Sequence, residues 1–338
     1  MKILIVTDLS IYAIGHSFAR ALTKQGHEVE VYDLQNAIDG YIKLGKLGKQ
    51  INTFWPVEAW IRKGNRDLAV FFQRFKPDTV VISGNVPVTY STLAFWKSIS
   101  PATTISLFWP DTLTNLQQNQ LNCASLYDQV TSYSSATLPV FNQLGFKKAL
   151  WFPFAADKEY LGTVGPPGND HFDYDLTFIG GWRPERERSV VAIMKSFPNL
   201  KIGVRGNYWI KQSKHVELKK IINPLSIYGQ AFGNFIRASR INLNVIDDTN
   251  YPAANMRFFE IPAAGGLQVC SDCPEQFDVF QNKKHIYYFK NDDDLCTVVE
   301  HIISNPKEAA QVRTNAYELV CKNHTYEHRV YQFTNLPN

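Results

Sequence analysis

Apolar residues fill positions 2–6 (KILIV) with little interruption, whereas at 28–33 (EVEVYD) they alternate with polar ones. The first pattern is that of a strand buried on both faces, and the second is that of a half-buried strand. Between them, 17–26 (SFARALTKQG) has helical spacing and stops at a glycine. The same alternation of elements recurs. Strands are predicted at 78–84, 104–111 and 129–134, with helices at 65–75 and 88–98, and KALWFPFAAD (148–157) ends this first half. Residues 158–175 break the pattern with Gly-Pro-Pro-Gly at 165–168, the punctuation of a domain boundary. A second series follows, with strands at 175–181, 200–206, 226–229, 241–247, 267–271 and 286–289. Its helices are predicted at 184–196, 256–264, 292–304 and 306–323. A last helix is predicted at 325–333, with Thr325 as its N-cap. Strands alternating with helices imply α/β units on parallel sheets. The expectation is two Rossmann-like domains facing each other, at 1–157 and 158–324, with ligands at the carboxyl ends of the strands.

Composition narrows the function classes. A net charge of +4 on 338 residues does not make a polycation, so no nucleic-acid partner is expected. Aromatic residues reach 13%, which suits ring-stacking sites as well as large cores. Five cysteines include one CxxC, Cys270 and Cys273, but no second pair stands at zinc spacing and Pro274 follows directly. Reduced thiols without a metal are expected. The opening MKILIVTD is too short for a signal segment, and no apolar run approaches a membrane span. A cytoplasmic protein is therefore expected.

Several motifs carry candidate chemistry. The loop after the first strand holds a single glycine, Gly15, rather than GxGxxG, so a dinucleotide cofactor is not expected. GYIKLGKL (40–47) imitates a phosphate-binding loop but has Leu47 where a Ser or Thr should hold magnesium. The acidic runs DYD (173–175) and DDD (292–294) fit a linker and a helix start better than a metal site. FIGGWRPERERS (178–189) is more specific. A strand ends at Gly180-Gly181, a helix opens at Pro184, and free N–H groups at such a start attract phosphate. Arg183, Arg186 and Arg188 bring three guanidiniums to it. Arg183 is the anion candidate, while Arg188 reads as part of a solvated helix face.

The segment NMRFFEIPAAGG (255–266) surrounds Glu260 with apolar and small residues. Its helix should begin near Asn255 and Met256, with Arg257 in the first turn, a second place for a diphosphate. A buried carboxylate needs partners. Glu260 could accept hydroxyls from the cis-diol of a ribose, or it could pair with Arg257 three positions away on the same face. The residue pattern leaves both open.

DLTFIGGWRPERE, NMRFFEIPAAGGLQVCSD and NHTYEHRV together resemble the signature blocks of CgeB-like glycosyltransferases, the spore-maturation branch of the GT-B glycosyltransferases. The match spans roughly 175–332; the first half is similar only to a generic GT-B N-terminal domain. The resemblance implies a sugar nucleotide in a central cleft, held mainly by the second domain without a bound metal or other cofactor. It implies a UDP-, GDP- or dTDP-linked donor and gives Glu260 the ribose. It has Arg183 and Arg257 neutralise the diphosphate, and lets residues 263–266 bring backbone close to the donor. Nucleobase contacts are expected at the strand ends near Arg205 and Tyr228, and Gly181 belongs to the phosphate turn. It also implies that 325–338 crosses back onto the first domain. One departure is Pro252, which stands where many retaining enzymes of this fold carry a second glutamate.

Gly15-His16 is similar to the Gly-His of plant-type inverting glycosyltransferases, in which an aspartate about a hundred residues later orients the histidine. Asp111 stands at that distance, at the end of a predicted strand. His16 would then be the general base, with Asp111 holding its tautomer; alternatively it only caps a helix or touches phosphate. Lys43, Lys46, Lys49, Arg62, Lys63 and Arg66, interleaved with Trp55 and Trp60, suit an anionic or membrane-borne acceptor, and equally a solvated helix. The reading is a metal-independent glycosyltransferase acting on a glycan, lipid-linked or protein hydroxyl. A nucleotide-sugar epimerase and a non-catalytic sugar-nucleotide-binding protein are its alternatives.

Overall fold

The computed structural model describes residues 1–8, 14–43, 45–162, 165, 168 and 171–334. The chain forms two compact units. One is Met1–Pro153 joined by the chain from Tyr326 onward, and the other is Phe154–Thr325.

The first unit is built on six parallel strands: β1 (Lys2–Thr7), β2 (Glu28–Asp33), β3 (Thr79–Ser83), β4 (Thr104–Trp109), β5 (Gln129–Ser132) and β6 (Ala149–Trp151). They lie in the order β2-β1-β3-β4-β5-β6. Ile3 to Val6 are fully buried because helices cover both faces of the sheet. β1 pairs with β2 on one side and β3 on the other, with Ile3 opposite Val29 and Thr79. The long helix Glu58–Phe75 ends where Lys76 turns left-handed, since Pro77 follows and disfavours a helical Lys76.

In the second unit β7 (Tyr174–Ile179), β8 (Ile202–Arg205), β9 (Ile222–Asn223), β10 (Ser239–Asn244), β11 (Gln268–Ser271) and β12 (Tyr287–Phe289) are ordered β12-β11-β10-β7-β8-β9. The order reverses direction at β7 and β10, which lie side by side with Leu176 opposite Ile241. A crevice opens beyond the carboxyl ends of such a pair. The helix Pro184–Ser196 starts on a proline, which lacks the N–H that a first turn leaves unpaired, and has Glu185 and Glu187 near its positive end. The helix Asp292–Ser304 is capped by Asn291, whose side chain accepts from the Asp294 N–H. Its three aspartates occupy the first turn, so DDD serves the helix dipole.

Three expectations are corrected. The strand predicted at 226–229 is absent. Pro224 ends the short β9, and Tyr228 precedes the helix Gly229–Arg237, whose first residue needs φ +55°. Gly15 and His16 lie inside the helix Ile14–Lys24, not in a loop. The helix predicted at 325–333 is two 3-10 turns, Tyr326–His328 and Val330–Phe333, and Thr325 bridges to Ala156. These turns set Tyr326 and Phe333 each 5.4 Å from the ring of Phe18, beside Phe108 and Phe152. Burying such rings outweighs the poorer hydrogen bonding of a 3-10 turn. The tail is further tied to the first unit by Glu327, which pairs with Lys24 at 2.9 Å.

GYIKLGKL follows the helix Leu34–Asp39 rather than a strand, so it lacks the strand–loop–helix setting of a phosphate loop; Leu44 lies outside the described residues. Cys270 sits on β11 and Cys273 follows it. Both are buried, and burial pushes both thiols up, Cys273 to about 12, so neither is a thiolate at neutral pH.

Candidate active site

The turn after β7 is built tightly on its protein side and open on the other. Gly206, at φ +146°, lies so close to this turn that a Cβ would come within 2.0 Å of the Gly180 carbonyl oxygen. A Cβ on Gly181 would meet nothing within 4 Å. The Trp182 indole N–H donates to the carboxylate of Glu187, which also accepts from Ser213 Oγ at 2.7 Å. Glu187 is therefore buried under the turn rather than solvated as ERER suggests. It lies three positions before Val190, on the buried face of its helix; that spacing is the signal the alternating charges hide.

The three arginines of this segment separate by role. Arg188 pairs with Asp292 at 3.1 Å across the helix surface, as its solvated-face reading expects. Arg186 turns inward. It donates to Asp247 Oδ2 at 2.6 Å, to the Gly181 carbonyl at 2.9 Å and to the Val245 carbonyl at 3.4 Å. It thereby ties the end of β7 to the chain leaving β10. Asp247 in turn accepts from Thr249 Oγ1 at 2.5 Å and Asn250 Nδ2 at 2.9 Å. Asp247 escaped sequence reading because a lone aspartate after a strand looks like ordinary turn chemistry. Arg183 stays exposed and has no ion-pair partner among the described residues.

The helix carrying Glu260 spans Arg257–Ala263. Asn255 is fixed at its start, exchanging amide hydrogen bonds with Asn244 at 2.8 and 3.1 Å and accepting from the Phe258 N–H at 3.1 Å. Pro262 inside the helix cannot donate to the Phe258 carbonyl, and Gln268 Nε2 takes that place at 3.3 Å. Met256 is half-buried at the helix start. Residues 263–266 do not line an open approach for a donor. Ala263 and Ala264 are buried, and a Cβ on Gly266 would sit 2.4 Å from Ile236 Cγ2, so small side chains are required by packing.

Glu260 is 5% exposed. Its Oε2 pairs with Arg257 Nη1, whose guanidinium lies 4.4 Å over the ring of Phe232. The internal ion pair foreseen as one of two readings is thus formed. It uses only one carboxylate oxygen, and among the described residues Oε1 accepts no hydrogen bond. Burial lowers the pKa of Arg186, while Asp247 and Glu185 oppose the shift and the charges of Arg183 and Arg257 add to it. Arg183 follows β7 and Arg257 follows β10, the adjacent strands of the switch point. Arg205, at the end of β8, stacks 4.9 Å over Phe235. Tyr228 precedes the helix Gly229–Arg237, not the end of a strand.

In the first unit, a cavity of about 390 Å³ lies at the carboxyl ends of β1 and β3, where that sheet also reverses order. Thr7, Asp8, Gln35, Ser83 and Asn85 bring polar groups to a lining that Ile14, Val86, Pro87 and Pro110 otherwise make apolar. Gly15 is buried at its side; a Cβ there would come within 2.7 Å of Thr7 Cγ2, so this glycine serves close packing of helix on strand. His16 is half-buried in the first turn of that helix. The Asp111–His16 hydrogen bond expected from sequence is not formed. Asp111 Oδ1 accepts from the Thr112 N–H and Oδ2 from Asn115 Nδ2, both at 2.7 Å. An aspartate followed by Thr-Leu-Thr-Asn satisfies itself locally.

In the basic stretch, Lys49 pairs with Asp39, Arg62 with Glu58, and Lys63 lies over Tyr41. Trp60 packs on the core, whereas Phe54 and Trp55 are 73% and 74% exposed. Among the described residues no helix is long and apolar enough to cross a membrane, and no cluster of potential metal ligands occurs.

Residues 185–335 match the family described as "Glycosyl transferase-like". No curated protein matches the chain. Among solved structures, sucrose-phosphate synthase from Thermosynechococcus elongatus superposes with a TM-score of 0.65 at 9% identity, covering 99% of this chain and 97% of that one. HepE from Anabaena, solved with UDP-glucose, gives 0.62 at 11% identity over 99% and 98%. BGT of phage T4, solved with its UDP-glucose substrate, gives 0.62 at 12% over 99% and 98%. At such identities the likeness establishes architecture. The chain has the GT-B fold, two parallel-sheet Rossmann-like units, and its residues 185–335 are glycosyl transferase-like.

Proposed function

We propose that the protein transfers a sugar from a nucleoside diphosphate sugar to a hydroxyl acceptor, with the donor held at the β7–β10 switch point. The observation that carries this reading is a buried Glu260 with one unused oxygen, in the helix after β10, together with the exposed Arg183, unpaired among the described residues, beside the open turn at Gly181 after the adjacent β7. Arg183 and Arg257 neutralise the diphosphate as the bond to the sugar breaks, so guanidiniums, not a metal ion, supply the positive charge. Glu260 Oε1 accepts a ribose hydroxyl. HepE and BGT, of the same fold, are solved with UDP-glucose, which supports a UDP-linked donor. The cavity at the ends of β1 and β3, apolar with a few polar groups from Thr7, Asp8, Gln35, Ser83 and Asn85, suits the apolar faces and hydroxyls of a sugar acceptor. The exposed Phe54–Trp55 pair with Lys43 and Lys46 is the surface that an anionic or lipid-linked acceptor would meet.

Melting the protein with UDP, GDP, dTDP, CMP and ADP in turn tests the donor site. One nucleotide at about 100 times its dissociation constant should stabilise the fold by about 2.7 kcal/mol, a shift of several degrees. Equal melting points with all five would overturn the assignment.

His16 is the proposed base that takes the acceptor proton as the acceptor oxygen attacks the anomeric carbon. Because Asp111 is engaged elsewhere, the two residues should separate in kinetics. His16→Ala is expected to lower kcat by roughly 10²-fold or more, and Asp111→Ala by less than about tenfold. Nucleotide affinity should stay the same in both. Unchanged turnover in His16→Ala would show that the proton leaves by another route.

A further inference from the structure

A second cavity, of about 420 Å³, lies in the unit Phe154–Thr325 at the opposite end of its sheet from the donor site. Arg240 is the second residue of β10 and Leu267 immediately precedes β11, so both mark the amino ends of the strands. Gly181 and Asp247 follow the carboxyl ends of β7 and β10. The two places are therefore separated by the length of a six-residue strand, roughly 20 Å.

The floor of this cavity is apolar and buried: Leu267 is 2% exposed and Ile302 1%. Phe172 forms one wall, with the guanidinium of Arg313 5.4 Å from its ring. Arg240 and Lys307 complete the charged part of the lining. Among the described residues, every ionisable residue lining it is cationic. The nearby Glu308 does not balance them, since its carboxylate accepts from Tyr287 Oη at 3.1 Å and lies 3.0 Å from His301 Nε2. Neither Arg240 nor Lys307 has an ion-pair partner among the described residues. A concave apolar surface rimmed by one sign of charge selects a ligand of the other sign with an apolar body. The volume is that of a small-molecule site, about 300–1,000 Å³ in general, and too small for a macromolecular segment of any length.

We propose that this cavity binds a small amphipathic anion, its carboxylate, sulfonate or phosphate head meeting Arg240 and Lys307 and its aromatic or aliphatic body lying on Leu267 and Ile302 against Phe172. The site is independent of the donor reading. The ligand would rest on the helix Pro306–Asn323, the element whose following residue, His324, stacks on Phe259 of the Glu260 helix at 5.8 Å.

The full chain should be titrated with 1-anilinonaphthalene-8-sulfonate, an aromatic sulfonate whose fluorescence rises on leaving water, and with its uncharged relative N-phenyl-1-naphthylamine. Saturable single-site binding of the sulfonate is expected, with the uncharged probe weaker. The double variant Arg240→Gln/Lys307→Gln should weaken the sulfonate by roughly tenfold or more and leave the uncharged probe unchanged. Ala310→Phe, which fills the cavity and keeps every charge, should weaken both probes. Arg183→Gln, on the donor face, should change neither. Full sulfonate affinity in the double variant or in the filled variant would overturn the proposal. So would loss of binding in Arg183→Gln, or an absence of saturable binding in the parent protein.

Discussion

Glu260→Ala is expected to abolish the nucleotide-dependent rise in melting point and to lower kcat/KM for the sugar nucleotide by roughly 10²-fold or more. A hydrogen bond to a charged group is worth about 1.5–3 kcal/mol, and each 1.4 kcal/mol is about tenfold, so one or two lost ribose contacts reach that range. The fold itself should change little. Arg257 loses its partner, but its side chain is 28% exposed, so water can replace part of the lost solvation, and Phe232 still supports its guanidinium. Glu260→Gln retains shape and one acceptor, and should recover part of the affinity. The measurement is a melt with and without the preferred nucleotide, alongside initial rates. If Glu260→Ala kept both the nucleotide shift and the rate, Glu260 would serve only to hold Arg257.

Asp247→Ala should destabilise the second unit by about 3–5 kcal/mol, because it strands the charge of Arg186 in a buried position. The side chains of Arg186 and Asp247 are 13% and 6% exposed, so water cannot take the place of the missing carboxylate. Thr249 and Asn250 lose their acceptor in the same step. At about 2–4 °C per kcal/mol for a unit of this size, the melting point should fall on the order of 10 °C. The double variant Arg186→Met/Asp247→Ala should recover much of the loss, since a buried pair replaced by apolar groups is often close to neutral. A single variant that melts within about 2 °C of the parent would show that this pair does not clamp β7 to β10.

Much of the architecture was legible along the chain. The helices 184–196, 292–304 and 306–323 occur as Pro184–Ser196, Asp292–Ser304 and Pro306–Asn323. Each has a signal that acts within a few residues: a proline in the first turn, acidic residues near the helix start, or an asparagine cap. Strands buried on both faces, such as β1 and β3, show as unbroken apolar runs because no side of them meets water. The errors fall where a distant partner decides. Residues 226–229 have strand-like composition but find no neighbour beyond β9, the edge of the sheet. Residues 325–333 have helical spacing, yet the rings of Phe18 and Phe152 draw Tyr326 and Phe333 into two separate turns.

The candidate site divides along the same line. Sequence alone determined that Arg183 and Glu260 stand on or beside helix starts after strands, since chain order and periodicity suffice for that. It also determined that Arg257 and Glu260 can meet, because residues three apart share a helix face. Only the tertiary structure decided that Arg186, not Arg183, is consumed by Asp247, 61 positions away. Only it showed that Asp111 spends both oxygens on its own turn, and that Glu187 is buried. The reason is physical. Periodicity encodes which way a side chain faces relative to its own element, whereas the partner of a charge depends on which elements pack together. Burial then selects the pairing that leaves the least charge unsolvated.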